Sequence, residues 1–504
     1  MRIIGLLQKH GPLGLVIKYI EKKSEPMDKR YAASFAEFLP DESELDRQRE
    51  AAMHLVYQPK ISIVVPAYRT PERFLRAMVE SVLAQTYGNW ELCIADATDD
   101  SDMVGDIVRA YQKQDDRIVY RRLSHNGGIS ENTNEGFRMV SGEYVALLDH
   151  DDLLAANALY EVARCLNEAP YKMLYSDEDK VDEEGIRHFE AHFKPDYNEE
   201  LLNHYNYICH FLVVHRSLIE SAGFLDARYD GAQDYDFVLR CTELLDGGQI
   251  AHIPKILYHW RVHAASTANY SGSKDYAYEA GRQAVQAHLD RIGETAKVVP
   301  VKGRESLGIH RKQSDSADRC TAFVGENCRP VTPDWEKALA AYFSCADIHA
   351  PVGMVGGKLV NGEAGPFRRI IACGYTFQRD GRVLPLFEGL HAWKKGYYRR
   401  AAVSQEIGAV SLEFCVVDKA AMEAVGGIDA SLPSPYRDMD FALRLQNAGY
   451  RVILAPEVCA VCRQHKEDSG DLEQARRVFQ TCWETVIRKG DRYYNENFSG
   501  NGYI

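Results

Sequence analysis

Short apolar runs alternate with segments of helical periodicity from residue 61 onward. Residues 61–65 form a mostly apolar run that predicts a buried strand, and residues 71–85 predict a helix because their apolar positions recur at helical spacing. The alternation continues with strands predicted at 91–95, 118–120 and 144–148 and helices at 103–112 and 130–140. This pattern predicts a mostly parallel α/β sheet, whose ligands bind beyond the carboxyl ends of its strands.

A later part of the chain repeats the end of this first domain. The order of residue types agrees, with similar spacing, at the pairs Phe211/Phe414, Asp226/Asp429, Asp234/Asp438, Arg240/Arg444, Pro254/Pro456 and His263/His465. The later copy has no counterpart of the first three strands, and residues 325–329 (GENCR) stand where the acidic run of residues 149–152 would recur. We therefore expect a truncated second copy of the first domain.

These patterns divide the chain into five segments. We predict a helical extension at 1–58, the first α/β domain at 59–270, a helix and linker at 271–317, the truncated copy at 318–470 and a helix and tail at 471–504. Within the extension, residues 3–23 interleave apolar and basic positions. Such a helix can lie on an anionic membrane surface or pack on the protein's own domain, and both interpretations stay open.

Composition narrows the class of protein. The 504 residues carry a formal net charge of -13, which disfavours a nucleic-acid binder because a phosphate backbone would be repelled. The 12 cysteines are scattered, and Cys93 sits inside an apolar run, so we expect reduced thiols in a cytoplasmic protein. Cys459 and Cys462 have the spacing of half a zinc site, but strand alternation explains them better.

The strongest candidate chemistry follows the fourth predicted strand, in the run Asp149-His150-Asp151-Asp152. Carboxylates at this edge of a sheet suit Mg²⁺ or Mn²⁺, which favour oxygen ligands and share them with substrate phosphates. We expect Asp149 and Asp151 to bind a metal, whereas Asp152 is expected to cap the start of a following helix.

A second acidic site opens a predicted helix after residue 232. Asp234 is a candidate general base, and we expect the helix dipole to keep its pKa low. N-capping competes with this interpretation and is assigned to Asp236 rather than Asp234. Arg261 and His263 suit a pyrophosphate or its metal, although an aromatic strand with a surface arginine would give the same pattern.

These segments, in their order, resemble glycosyltransferase family 2, the inverting enzymes of GT-A fold. The motifs are residues 62–68 (SIVVPAY), 81–87 (SVLAQTY), 126–134 (NGGISENTN), 148–152 (LDHDD), 175–180 (YSDEDK), Gln233-Asp234 and 258–261 (YHWR). They cover roughly residues 60–270, and the likeness is greatest to the bacterial branch acting in O-antigen and other surface-polysaccharide assembly. Several members of that branch carry two transferase domains in tandem, which matches the repeat.

The resemblance implies a role for each matching residue. It implies catalysis by Asp234 as the base, metal binding by Asp149, Asp151 and His263, and donor binding by Pro66, Tyr68, Asp96, Asn126, Gly128, Asn134, Asp149 and Arg261. Sugar or acceptor contacts would come from Asp177, Asp179 and Trp260, although ordinary loop chemistry and a solvated charge run explain several of these residues equally well.

The implied reaction moves a sugar from a nucleotide-diphosphate donor to an acceptor hydroxyl, with Mn²⁺ or Mg²⁺ as cofactor. UDP-hexose and dTDP-rhamnose donors both fit, and the acceptor would be a glycan or a lipid-linked oligosaccharide at the inner face of the membrane. Two alternatives stay open: a non-catalytic glycan-binding or scaffold protein of this fold, and, less favoured, a sugar nucleotidyltransferase. The second copy is expected to be inactive.

Overall fold

The computed structural model describes residues 31–32, 34–263, 273–301, 306–312, 319–344, 350–362, 365–463 and 471–498. The amphipathic segment predicted at 3–23 and His465 of the repeat lie outside these residues. Among the helices so described, none combines the length and apolar character that crossing a bilayer requires.

The first domain alternates helices and strands as the sequence predicts. Its first half comprises α1 (Glu42–Met53), β1 (Ile61–Ala67), α2 (Glu72–Leu83), β2 (Trp90–Asp96), α3 (Met103–Gln112), β3 (Ile118–Arg122), α4 (Ile129–Phe137) and β4 (Tyr144–Leu147). Its second half comprises β5 (Leu153–Leu154), α5 (Ala158–Leu166), β6 (Met173–Val181), β7 (His188–His192), α6 (Glu199–Leu202), β8 (Leu212–His215), α7 (Arg216–Ala222), α8 (Gln233–Thr242) and β9 (Ile250–Arg261). Helix α9 (Ser273–Arg291) and the hairpin β10 (Lys297–Pro300) and β11 (Leu307–His310) follow, so part of the predicted linker is a strand.

These strands form one nine-stranded sheet in the order β3-β2-β1-β4-β8-β6-β9-β5, with β7 beside β6. Strands β1 to β4 are parallel, β8 runs antiparallel to both neighbours, and β6 is parallel to β9. Every residue of β1 and β2 is buried, because helices cover both faces of a parallel sheet. This explains why the two strands appear in the sequence as nearly continuous apolar runs.

The second domain has a seven-stranded sheet of its own. Its elements are β12 (Cys320–Val324), β13 (Cys328–Pro330), α10 (Trp335–Ala340), β14 (Val352–Val360), β15 (Ile370–Ala372), β16 (Tyr375–Phe377), β17 (Val383–Pro385), β18 (Gln405–Glu406), β19 (Phe414–Asp418), α11 (Lys419–Ala424), α12 (Tyr436–Asn447), β20 (Arg451–Cys462), α13 (Leu472–Cys482) and α14 (Glu484–Lys489). The strands β16 and β17 pair separately as a hairpin.

Strand topology confirms the truncated repeat. The order β12-β19-β14-β20-β13 reproduces β4-β8-β6-β9-β5, with the same parallel and antiparallel pairings. The registers agree too, since Met173 pairs with Val214 and Met354 with Val417. Within the described part of the second domain, nothing corresponds to β1, β2 and β3. The fold class predicted from the sequence, a GT-A-type α/β domain plus a truncated copy, is therefore confirmed.

One expectation about the cysteines is wrong. Cys328 and Cys462 are joined by a disulfide rather than being two reduced thiols. The two residues face each other across the paired strands β13 and β20. Sequence spacing could not reveal this pairing, because the cysteines are 134 residues apart and meet only when the sheet forms.

A buried polar interface joins the two domains around β18. The side chain of Asn198 donates to the Glu406 carbonyl at 2.8 Å and accepts from its amide at 3.0 Å. The Glu406 carboxylate receives the amide of Glu200 at 3.2 Å and the Arg451 guanidinium at 3.3 Å. Burial raises the pKa of Glu406 to about 7, although the Arg451 charge opposes this rise.

We predict that Glu406→Gln removes a pH dependence of stability. The folded pKa of Glu406 lies above the ordinary value of 4.5, so its protonation stabilises the folded state below about pH 4.5. That contribution is lost as pH rises through 7, with a slope of up to about 1.4 kcal/mol per pH unit. The affected range is therefore about pH 5 to 7, between the unfolded and folded pKa values. Over this range, the unfolding midpoint of the wild type should fall relative to that of the glutamine variant.

The control is Glu484→Gln, which changes a glutamate whose side chain is 73% exposed. Its midpoint should follow the wild type at each pH. Parallel curves for wild type and Glu406→Gln would contradict the prediction.

Candidate active site

The acidic loop after β4, His210 before β8 and Asp234 at the start of α8 neighbour one another, and we call the region between them the cleft. The Asp149 side chain is 51% exposed, and its Oδ2 lies 3.9 Å from Nε2 of His210, which lies two residues before β8. Nδ1 of His210 lies 2.9 Å from Glu178 on β6. Because β8 lies between β4 and β6 in the sheet, His210 bridges the carboxylates of the two neighbouring strands.

Asp151 and His263, both expected metal ligands, lie in contact. Their side chains approach to 2.8 Å, between Oδ2 and Nε2. Arg261 donates from Nε to the Asp151 carbonyl at 2.7 Å and from Nη1 to the Glu183 carbonyl at 2.9 Å. The guanidinium of Arg261 thus supports the backbone of the acidic loop, and a donor pyrophosphate would have to compete with these carbonyls.

Asp152 is not a helix cap, contrary to expectation. Helix α5 begins at Ala158, and Asp152 instead precedes the short strand β5. Its buried carboxylate accepts hydrogen bonds from the Tyr258 hydroxyl at 2.6 Å and the Arg261 amide at 2.7 Å. Burial raises the pKa of Asp152 well above its usual range. These contacts tie the acidic loop to β9.

Asp234 lies in the first turn of α8, half-buried, and accepts a hydrogen bond from Nδ2 of Asn206 at 2.9 Å. The expectation of a low pKa is wrong, because burial outweighs the helix dipole and raises the pKa of Asp234. Asp236 is not the N-cap either. That position is Ala232, and Asp236 pairs with Arg240 one turn along the helix.

One positive charge connects the two acidic sites electrostatically. The charge of His210 lowers the pKa of both Asp149 and Asp234, against the effect of burial, which raises both. Asp234 also acts on Asp149, further raising its pKa. The structure therefore brings the predicted metal ligand and the predicted base into one cleft, with His210 between them in electrostatic terms.

Several expected donor contacts are already occupied by the protein. The carboxylate of Asp96 is fully enclosed and accepts from the Thr98 amide, the Tyr120 hydroxyl at 2.7 Å and Arg122 at 3.2 Å. The Asn134 amide pairs in both directions with the backbone of Leu225, at 2.9 Å each way. A nucleoside contact at Asp96 would have to displace one of its protein partners.

The remaining donor residues lie at strand and helix ends. Pro66 is buried within β1, and the half-buried Tyr68 just beyond it lies under the Arg69 guanidinium, 5.1 Å from the ring centroid. Asn126 accepts the Gly128 amide at 3.1 Å, which shapes the turn into α4. Gly128 has a φ of +91°, a conformation that favours glycine.

Of the predicted sugar or acceptor residues, two are buried and one lies beside the cleft. Asp177 and Asp179 are buried, with His252 on Asp177 at 2.9 Å and His259 on Asp179 at 2.6 Å. Trp260 is half-buried beside the cleft, with its ring 5.9 Å from the His210 ring. Of the three, Trp260 alone lies within reach of a ligand in the cleft as the structure stands.

Glu178, which the sequence analysis did not single out, is the carboxylate of β6 that reaches the cleft. Burial would raise its pKa, but Lys194, His192 and His210 together bring it well below the usual range. In return Cys209 and Glu178 raise the pKa of His210 well above its usual value, although burial opposes this. The run of residues 175–180 indicates a group of carboxylates, but not which of them faces the cleft. The pairing of β6 with β9 shifts register around Asp177 and Glu178, so simple strand alternation does not apply there.

The residues of the acidic loop fit a divalent cation. Asp149 and Asp151 offer carboxylate oxygens and His263 an imidazole nitrogen, a donor set that suits Mn²⁺ or Mg²⁺. Among the described residues, the acidic-loop cluster whose ligand atoms lie within 4.8 Å of one another is Asp149, Asp152 and His210, whereas Asp151 is paired with His263 at 2.8 Å. Asp152 and His210 also contact Tyr258 and Glu178, with which an ion would have to compete.

Family comparison agrees with this geometry. Residues 62–224 match the model of glycosyl transferase family 2, and residues 366–498 match that of glycosyl transferase family group 2. The chain belongs to glycosyltransferase family 2. The two matches fall in the two domains of this family 2 chain, as the strand topology requires.

Relatives cover this family 2 chain to different extents. The uncharacterized protein y4gI of Sinorhizobium fredii is 32% identical over 81% of this chain and 54% of its own length. The O-antigen biosynthesis protein RfbC of Myxococcus xanthus is 37% identical over 55% of this chain and 22% of its own length. The chain thus spans about half of the first relative and about a fifth of the second.

Solved structures overlap with this chain only in part. The crystal structure of S. aureus TarS 1-349 in complex with UDP-GlcNAc is 17% identical, with a TM-score of 0.38. The match covers 46% of this chain and 66% of that structure. A TM-score of this size adds nothing to the fold assignment.

We predict that Asp152→Ala destabilises this family 2 protein by about 3 kcal/mol, because the Tyr258 hydroxyl and the Arg261 amide would lose a buried acceptor. Denaturant unfolding measures this loss. The control is Asp102→Ala, whose side chain is 83% exposed, with an expected change within about 0.5 kcal/mol. Equal effects of the two substitutions would refute the structural role of Asp152.

Proposed function

We propose that this chain transfers a sugar from a UDP- or dTDP-sugar to an acceptor hydroxyl, with inversion at the anomeric carbon. The observation that carries the proposal is the convergence of Asp149, His210 and Asp234 on one cleft at the carboxyl edge of the sheet. An acidic loop for a donor diphosphate and a separate carboxylate for the acceptor are the two parts that such a transfer requires.

The acidic loop is proposed to bind the donor. Asp149 and Asp151, with His263, would hold Mn²⁺ or Mg²⁺, and the ion would neutralise the charge of the nucleoside diphosphate leaving group. Asp152 and Arg261 keep the loop in place through Tyr258 and the loop's own carbonyls. The open side chain of Asp149 supports this role, since a ligand can reach it without rearrangement.

Asp234 is proposed to be the general base. It would accept the proton of the acceptor hydroxyl while the hydroxyl oxygen bonds to the anomeric carbon and the bond to the diphosphate oxygen breaks on the opposite face. The Asn206 amide donates to one carboxylate oxygen of Asp234 and orients the group. Burial raises the pKa of Asp234, which makes it a stronger base than an ordinary aspartate, and the charge of His210 opposes the rise.

We further propose that the acceptor is a glycan or lipid-linked oligosaccharide of bacterial surface-polysaccharide synthesis, as the name of the RfbC relative suggests. E. coli chondroitin synthase, 30% identical over 47% of this chain, supports a glycan acceptor. A lipid-linked acceptor would place the enzyme in the cytoplasm, peripheral to the inner face of the membrane. Trp260 at the edge of the cleft is the candidate contact for a sugar ring.

The second copy is proposed to be inactive. Asp438, its counterpart of Asp234, is fully buried, and Ser434 donates to it at 3.1 Å. Arg437, next to it, pairs with Glu413 at 3.7 Å. These contacts leave the carboxylate of Asp438 closed to an acceptor.

We predict that Asp234→Asn lowers kcat by about 10²-fold or more, because the acceptor loses its base. The matched control is Asp438→Asn, the same change at the equivalent position, which should stay within about twofold of wild type. Transfer of label from donor to acceptor measures both. Donor affinity, from titration calorimetry, should change little in either variant. Equal activity in all three proteins would contradict the assignment of the base.

We predict that one nucleotide-sugar in a panel of UDP-, dTDP- and GDP-sugars releases nucleoside diphosphate slowly with Mn²⁺ or Mg²⁺. EDTA should abolish the release, and Asp149→Asn should reproduce the loss because it removes a metal ligand. The exposed substitution Asp102→Asn is the control and should leave release unchanged. Release that is unaffected by EDTA would rule out the metal-dependent mechanism.

A further inference from the structure

Two adjacent tyrosines of the second domain contact the end of β7 in the first domain. The ring of Tyr398 stacks on the imidazole of His192, with centroids 3.6 Å apart and planes 4° from parallel. The hydroxyl of Tyr397 donates to the Ala191 carbonyl at 2.6 Å and accepts from the Phe193 amide at 2.8 Å. Both the side chain and the backbone at residues 191–193 are therefore held from the second domain.

A third side chain of the second domain holds the next residue. Nδ2 of Asn495 donates to the Lys194 carbonyl at 2.9 Å and to Oδ2 of Asp177 at 2.8 Å. Asn495 is buried, so these bonds form away from water. We refer to Tyr397, Tyr398 and Asn495 as the clamp.

The clamped residues are those that hold Glu178 in the cleft. Nδ1 of His192 lies 3.3 Å from the Glu178 carboxylate, and Nζ of Lys194 lies 3.8 Å from it. Lys194 is fully buried, and its ammonium also donates to the Ile208 carbonyl at 2.9 Å and to the His210 carbonyl. A continuous chain of contacts thus runs from the second domain through Glu178 to both the side chain and the backbone of His210.

The repeat itself shows that this arrangement is specific to the first domain. The shared register of β8 and β19 places Glu413 at the position of His210. Arg437 stands at the position of Gln233, and it pairs with Glu413. The second copy thus has an anion where the first has an imidazole, and has no equivalent of the contact between His210 and Asp149.

We propose that the second copy is a positioning domain for the first: its clamp holds His192 and Lys194 against Glu178, and Glu178 holds His210 beside Asp149. Tyr398 is the key positioning residue, since it contacts His192 directly. The effect on catalysis rests on the proposed function, but the mechanical effect of the clamp does not. Losing the Tyr398 ring should loosen His192, Glu178 and His210 together.

Cys209 offers a readout that is independent of catalysis. Its thiol is partly exposed, lies 3.7 Å from Glu178 and precedes His210 in the chain. The rate of its alkylation, followed by peptide mass spectrometry, should rise about fivefold or more in Tyr398→Leu, because local opening exposes the thiol. Tyr398→Phe keeps the stacked ring and loses only the hydroxyl contact to the Glu190 carbonyl, so its rate should stay near wild type.

In donor-release and transfer assays, Tyr398→Leu should be impaired and Tyr398→Phe should remain close to wild type. Tyr398→Leu should lower kcat about tenfold with a smaller change in KM, because the donor loop is intact but His210 is misplaced. Tyr398→Phe should restore kcat to within about twofold of wild type. The matched control is Tyr450→Leu, at a half-buried tyrosine of the second domain packed on its own core, which should alter neither assay.

Wild-type alkylation of Cys209 in Tyr398→Leu would overturn the proposal, and so would a Tyr398→Phe variant as impaired as the leucine variant. Thermal unfolding checks that each variant is folded. If Tyr398→Leu does not fold, Asn495→Ala takes its place, and faster Cys209 alkylation is again the supporting result. If wild type turns over no donor, the proposed function fails, while the alkylation rates still decide whether the clamp exists.

Discussion

The buried carboxylate of Glu178 imposes the main constraint on the first domain. An unpaired charge at this depth would be strongly destabilising, and several partners must therefore converge on it. They come from three places in the chain: His192 at the end of β7, Lys194 just after it, and His210 before β8. Satisfying one charge thus fixes the relative positions of β6, β7 and β8, and with them the wall of the cleft that faces the acidic loop.

Much of the fold could be predicted from the sequence because burial on both faces leaves a strong signal. Strands β1 and β2 are apolar along their length, and the acidic residues that follow the strands mark the ligand edge of the sheet. The repeat could be recognised in the sequence because a duplicated strand order preserves the spacing of its aspartates and glycines. Asp149, Asp151 and Asp234 could be chosen because their positions at element ends depend on local pattern alone.

The partners of individual side chains could not be predicted in this way. The position of Asp96 predicts a nucleoside ligand, but its carboxylate is bound by Tyr120 and Arg122. The side chain of Asn134 bonds to the backbone of Leu225, which is 91 positions away in the chain. Asp152 has the sequence context of a cap, yet it binds β9. The raised pKa of Asp234 depends on how deeply the helix end is enclosed, which spacing does not encode. Such properties arise from contacts that are distant in sequence.

The truncated copy retains five strands in the order of the parent sheet, and its hydrophobic core also takes in Ala191, Phe193 and Ile256 of the first domain. This part of the sheet thus packs a core without counterparts of β1 to β3 in the described part of the second domain. Gene duplication can therefore copy this part of the fold without copying the strands proposed to bind the donor. If the second copy carries no reaction, as we propose, selection can act on how firmly it holds the first domain rather than on what it binds.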